Sequence, residues 1–177
     1  MPVTPYQWLT AVRDAALEIC EASTTVEKPD TVEIGDMQTA GLPKNLCGAL
    51  FIDGGVMYET GDRFPDRLQQ SQSVAAFRGC PPGVALPITL RYLHCVPAPN
   101  SGPTGTRPPT EWRDEYSAML WNFAWEMWEG IGCNIKPWKR RYGPIVRGQL
   151  TPLPRNASHS GFTITLTASL RSCEECS

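Results

Sequence analysis

The stretch that decides the fold is EWRDEYSAMLWNFAWEMWEGI, residues 111–131. Thr110 is placed to cap it. Glu111, Asp114 and Glu115 put negative charge near its start, where the helix dipole favours it, and Gly130 and Gly132 are expected to stop it. At about 100° per residue, Trp112, Tyr116, Met119, Leu120, Phe123, Met127 and Ile131 share one broad face suited to covering a sheet. Trp121, Trp125 and Trp128 fall on a different flank. Only a narrow stripe with Glu115, Asn122, Glu126 and Glu129 is left for water. A helix apolar round most of its circumference is buried on more than one side. A chain of 177 residues with two helices has little of its own to cover the second side. A neighbouring subunit is the expected cover. The alternative is that the chain's own loops, above all the prolines of 97–109, fold over the tryptophans, since Trp is enriched at interface cores but is also an ordinary large core residue.

Upstream of this helix, residues 97–109 hold five prolines and two glycines, too stiff and too poor in hydrogen-bond donors for regular structure. Before that linker, residues 84–96 form the longest central strand candidate, with Leu86, Ile88, Leu90, Tyr92 and Val96 on one face at period two. Pro87 is expected to confine its first part to an edge. Leu46–Asp53 is a buried-looking strand, and Asp53-Gly54-Gly55 is a turn signal towards Val56–Glu59, so the pair is expected to be a hairpin. Ser73–Phe77 is a further strand candidate, and the polar segment around it a contact loop. Residues 23–45 are read as loop with at most one short strand at Thr31–Ile34. At the start of the chain, Thr4 caps, Pro5 fits the first helical position and Gln7 completes a capping box. Leu9, Val12, Ala16 and Ile19 then recur at helical spacing, which predicts an amphipathic helix over about 5–22.

Downstream of residue 131 a basic stretch leads to a strand at about Ile145–Leu150, a loop from Pro152 to Ser160, and a strand at Phe162–Leu170. In that last strand Phe162, Ile164, Leu166, Ala168 and Leu170 alternate with Thr163, Thr165, Thr167 and Ser169, giving one buried face and one wet or partner-facing face. Residues 171–177 are expected to fray. The order helix, strands, helix, strands predicts one α+β domain over residues 1–177, with a mostly antiparallel sheet against two helices.

Charged residues make up only 19% of the chain, leaving a surface poor in charge. Residues 1–66 carry eleven acids against four bases, whereas residues 130–171 carry seven bases and no acid. Such asymmetry suits head-to-tail contact between copies, or a polyanion near the basic part. No run reaches the roughly 18 apolar residues of a membrane helix, and the N-terminus lacks the charged start and apolar core of a signal peptide. A soluble, unprocessed chain with no membrane partner is expected. Seven cysteines, an odd count at irregular spacing, argue for reduced thiols in a cytosol rather than a disulfide framework.

Candidate chemistry is sparse. The two histidines are His94 and His159. His94 and Cys95 are neighbours on a strand, so their side chains point to opposite faces and do not make a nucleophile–base pair. Cys173 and Cys176 have zinc-ligand spacing but no second ligand pair. Asp53, Glu59 and Asp62 cluster in the expected hairpin and read as surface turn acids. Lys136, Lys139, Arg140 and Arg141, interleaved with Trp138 and Tyr142, could hold phosphates with stacking support, although basic residues are favoured at a helix C-terminus in any case. No phosphate-cradling glycine loop, hydrolase elbow or HExxH motif is present. The expectation is no enzyme, no cofactor and no metal.

The N-terminal amphipathic helix, the strand VALPITLRYLHC followed by Pro97 and Pro99, the Trp-containing helix EYSAMLWNFAWEMWEGI and the closing strand GFTITLTASL together resemble the tail-terminator group of neck proteins of long-tailed bacteriophages. The resemblance spans most of the chain but rests on element order and size. It implies a tail-terminator-like fold and a ring, usually hexameric, that caps the tail tube, stops its polymerisation and joins it to the head connector. The implied partners are copies of the chain, the tail tube protein, the head–tail connector or stopper protein, and genomic DNA passing through the lumen without sequence specificity. The implied location is the virion, after assembly in the bacterial cytoplasm. In such a ring Trp121, Trp125, Trp128, Lys139, Arg140, Arg141 and Arg147 would face neighbouring subunits. Asp62, Arg63, Phe64, Arg67 and Gln70 would reach towards the next ring. Another neck ring, such as a head-completion or stopper protein, or the tube protein itself, is the nearest alternative. A small cytosolic α+β enzyme or ligand-binding domain, with the loop at 60–82 as a lid, is the alternative of a different class. The tail sequence Cys173-Glu174-Glu175-Cys176 is not accounted for by the resemblance.

Overall fold

A computed structural model describes residues 3–26, 28–35, 48–60, 64–67, 83–96, 110–134, 136–153 and 159–170. In chain order the elements are helix α1 (Pro5–Ala22), strands β1 (Thr31–Ile34), β2 (Gly48–Gly54), β3 (Tyr58–Glu59) and β4 (Val84–Cys95), helices α2 (Thr110–Asn134) and α3 (Lys136–Tyr142), and strands β5 (Ile145–Leu153) and β6 (His159–Leu170). The strands make one sheet in the order β1-β2-β4-β6-β5, with β3 also beside β4. β1 and β2 run parallel and every other pairing is antiparallel. The expected α+β class, a mostly antiparallel sheet with two long helices, is the observed one.

α1 begins as its sequence requires. The Gln7 amide donates to Thr4 Oγ1 at 3.3 Å, and the Thr4 amide donates to Gln7 Oε1 at 2.9 Å, so each side chain accepts from the other residue's N–H. Trp8, Val12, Ala15, Ala16 and Ile19 are buried, and the Trp8 indole donates to the Ser169 carbonyl at 3.2 Å, tying α1 to β6. α1 and α2 cover the same sheet face. Between them and the sheet lie Leu50 and Ile52 of β2, Leu86, Ile88, Leu90 and Tyr92 of β4, and the even-numbered residues of β6 from Phe162 to Leu170. Tyr92 is the aromatic centre, 4.8 Å from Phe123 edge-on and 5.3 Å from Phe162 in a stacked pair. Among the described residues the opposite face holds a small cluster of Ala49, Phe51 and Leu93 with Leu153, and the ion pair Arg91–Asp53 at 3.4 Å.

Several expectations are corrected. β2 and β3 are not a hairpin: both pair with β4, β2 along Ile88–His94 and β3 along Val84–Ala85. Two short segments lie end to end against one long strand because Gly54 and Gly55 pass Pro87 instead of turning back. Pro87 therefore does not mark a sheet edge. It sits at the seam, where its carbonyl accepts from the Gly55 amide at 2.8 Å and its missing N–H falls between the end of β2 and the start of β3. Gly130 and Gly132 do not stop α2, which continues to Asn134. A Cβ at Gly130 would lie 2.8 Å from Ile19, so this glycine marks the close approach of the two helices. The basic stretch after α2 is helical, as α3. β5 runs on through Pro152, which an edge strand tolerates because its outer side carries no ladder. Cys95 is disulfide-bonded, its partner lying outside the described residues, which corrects the expectation of reduced thiols throughout. The strand candidate Ser73–Phe77, the linker 97–109 and the tail 171–177 also lie outside the described residues.

Candidate assembly surface

The surface in question is the flank of α2 next to the edge strand β5. Helical geometry turns Leu120, Phe123, Met127 and Ile131 into the core, and it carries Trp121 and Trp125 past the sheet edge. Trp121 is 51% exposed and Trp125 54%, and the linker 97–109 expected as their alternative cover lies outside the described residues. Trp128 is half-buried and stacks on Trp125 with centroids 5.7 Å apart and ring planes 23° apart.

Arg147, on β5, completes this stack. Its guanidinium carbon lies 4.0 Å from the Trp128 ring centroid, and Nη1 donates to the Trp128 carbonyl at 3.0 Å. A cation over an indole face is attracted by the ring quadrupole. Gly132 leaves the space: a Cβ there would lie 2.8 Å from the guanidinium carbon. The two glycines read from the sequence as stop signals thus serve packing, Gly130 against Ile19 and Gly132 against Arg147. Lys136 and Lys139 of α3 join Trp128 and Arg147 around an open concavity of about 450 Å³. A smaller crevice of about 90 Å³ lies further along α2, between Leu120, Trp121, Ala124, Pro152 and Phe162.

β5 itself is blunted as a template for strand addition. Its register with β6 shifts between Arg147 and Leu150. There the Thr165 hydroxyl accepts from the Gln149 amide at 2.8 Å, and Gly148 fits only because it has no Cβ, which would fall 2.4 Å from Thr165 Oγ1. A bulge of this kind breaks the regular ladder of an edge. Whatever covers this side would therefore be held by side chains and not by an added strand.

The structure brings together most of the residues expected at a subunit contact. Trp128, Lys139 and Arg147 share the concavity, Trp121 and Trp125 flank it, and Arg140 is exposed on α3. Arg141 lies on α3 with its side chain outside the described set. Of the polar stripe on α2, Glu115, Asn122 and Glu129 face solvent, but Glu126 does not belong with them. It accepts from the Ser23 and Thr25 hydroxyls, each at 2.7 Å, and ties α2 to the end of α1.

Of the residues expected to reach another ring, Phe64 is half-buried and Arg67 is exposed, with its guanidinium 5.4 Å from the Tyr58 ring centroid. Asp62, Arg63 and Gln70 lie outside the described residues. The sequence reading missed the turn before β3, where Val56 is 84% exposed and Met57 49%. The signal was available, as two apolar residues directly after Gly54-Gly55, but the assumed hairpin hid it.

Elsewhere, His94 Nδ1 lies 2.8 Å from the Cys95 carbonyl and 3.2 Å from the Tyr116 hydroxyl, which makes it a bonded strand-end histidine. Burial pushes the Cys20 thiol up to about 11, so it stays protonated near neutral pH. Among the described residues no three His, Cys, Asp or Glu side chains converge as metal ligands, and no helix is long and apolar enough to cross a membrane. The Cys173–Cys176 pair lies outside them. Compared with models of known protein families and with curated proteins, the chain has no significant match.

Proposed function

We propose that this chain is a structural subunit that assembles with copies of itself into a ring, and that the ring terminates the tail tube of a long-tailed bacteriophage. One observation carries the self-assembly: two tryptophans, each about half exposed, stand on the flank of the best-formed helix and border a cluster of exposed cations. Large aromatic residues flanked by arginine are the usual anchors of protein–protein contacts. Leaving two indoles half in water forgoes hydrophobic free energy of about 25 cal/mol for each Å² that a partner would cover. The basic stretch 130–171, set against the acid-rich first third of the chain, favours contact between unlike surfaces, which makes a ring where the rotation between copies closes.

The particular ring is supported by the resemblance of element order to tail terminators, with a sheet backed by two helices and a Trp-bearing second helix. In this reading the ring, a hexamer, sits on the last ring of tube protein, halts its polymerisation and docks to the stopper or connector, and genomic DNA passes its lumen. It is a virion component without catalytic activity.

The test is electron microscopy of the chain mixed with polymerising tube protein. Rings at one end of shortened tubes are expected. Tubes that elongate unchanged, beside a chain that remains monomeric by mass photometry, would sink the proposal. Charge reversal at Arg140 and Arg141 should weaken ring formation, and an unchanged ring would remove them from the contact.

A further inference from the structure

We infer that the tryptophan flank of one copy receives the turn at residues 55–59 of the next, so that the contact joins two unlike surfaces of the same chain. This rests on the proposed self-assembly and names the occupant of the flank. The turn carries Val56, the most exposed large apolar side chain among the described residues, and half-exposed Met57, with exposed Glu59 and Asp66 close by. The flank carries exposed Trp121 and Trp125, a crevice of about 90 Å³ lined by Leu120, Ala124 and Phe162 with Ser117 and Ser160 among them, and the cations Lys136, Lys139 and Arg147. Each surface therefore offers exposed apolar groups, and the cations at the α3 and β5 end of the flank, beyond exposed Asp114 and Glu129 of α2, are opposite in sign to the acids at the turn. Arg67 is the one described base at the turn, and its guanidinium lies near the Tyr58 ring.

The turn is also held ready for docking. Gly55 donates to the Pro87 carbonyl at 2.8 Å, Tyr58 pairs with Ala85, and the Tyr58 hydroxyl donates to the Pro65 carbonyl at 3.1 Å. Anchors on both sides fix the backbone that presents Val56 and Met57, so little conformational entropy is lost when they are buried. The crevice has room for a small aliphatic side chain. In the sheet, β3 and the end of β2 lie on one side of β4, whereas β6 and β5 lie on the other. A copy docked through its turn still offers its own flank. Such a contact repeats, and it closes into a ring or grows as a chain. The bulge in β5 fits this occupant, because it disfavours edge-to-edge pairing of two β5 strands.

The experiment uses two variants of the full chain, V56D/M57D at the turn and W121A/W125A at the flank, with mass photometry as readout and circular dichroism to confirm the fold. The wild-type chain is expected to form species larger than a dimer, and each variant alone to be monomeric. Their 1:1 mixture should give a heterodimer and nothing larger, since only one working turn and one working flank remain. A turn variant that assembles like wild type while the flank variant does not would overturn this inference and leave the proposed function standing. A mixture that stays monomeric would also overturn it. A wild-type chain that is monomeric both alone and with tube protein would defeat both readings. Should W121A/W125A fail to fold, a benzophenone amino acid at position 56 decides the matter. Cross-links between isotopically distinct copies that map to 117–153 support the contact, and cross-links elsewhere or none refute it.

Discussion

α1 and α2 lie side by side on one face of one sheet, yet they finish their packing differently. α1 has one buried face, and of its large apolar residues only Tyr6 projects into solvent. α2 has an equally complete buried face in Phe123, Met127 and Ile131, together with a second apolar flank that meets solvent. The two helices touch closely at Gly130 and Ile19, and Glu126 accepts from the Ser23 and Thr25 hydroxyls. α2 is thus covered by the sheet below and by α1 on one side, whereas on the other side Arg147 lies over Trp128 and the described residues leave Trp121 and Trp125 half exposed. The difference teaches that amphipathic width reports how many neighbours a helix needs, and position in the layer decides which of them the same chain supplies.

The comparison can be broken most sharply at the core of α1. Trp8→Ala removes a fully buried indole and its bond to Ser169, and should destabilise the fold by about 3–5 kcal/mol in urea or thermal unfolding. Next comes the seam between the helices. Gly130→Ala drives a Cβ into Ile19, itself packed in the core, at an expected cost of about 1–3 kcal/mol, offset by about 1 kcal/mol of helix propensity, so a net loss of stability is expected. Thr4→Ala removes the capping box and should lower stability by about 1 kcal/mol. Trp121→Ala should cost the monomer about 1 kcal/mol, well below Trp8→Ala because its indole is half in water, while reducing self-association. A large loss of monomer stability there would mean that the flank belongs to the intrachain core after all. The smallest perturbation leaves the fold intact: alkylation followed by peptide mapping should modify exposed Cys133 of α2 and spare buried Cys20 of α1 until the protein is unfolded.

Much of the fold was readable because its signals are local. The capping box at Thr4 and Gln7, the strict alternation of 162–170 and the two faces of α2 each follow from a periodicity or a side-chain bond spanning a few residues. Partners across the sheet were less readable. The hairpin expected at 53–59 failed because a Gly-Gly turn signal is compatible with a chain that continues along a third strand, and only β4 decides between the two. Gly130 and Gly132 resembled stop signals because sequence alone cannot distinguish a glycine that ends a helix from one that lets Ile19 or Arg147 approach. The candidate surface was half legible. The Trp flank was, since it follows from helical spacing, whereas the pairing of Arg147 with Trp128 joins residues on different elements and has no local signature. The exposure of Val56 was obscured by the mistaken hairpin.

Composition and periodicity thus determined the class of the domain, the places of both long helices and the excess of apolar surface on the second, because these depend on the order of residues along single elements. Tertiary structure alone decided that β2 and β3 share β4, that a glycine makes room for a guanidinium over an indole, and that Trp121 and Trp125 stand beside a basic edge with no described cover. Those features depend on distances between elements remote in the chain, and such distances exist only once the sheet and helices have packed.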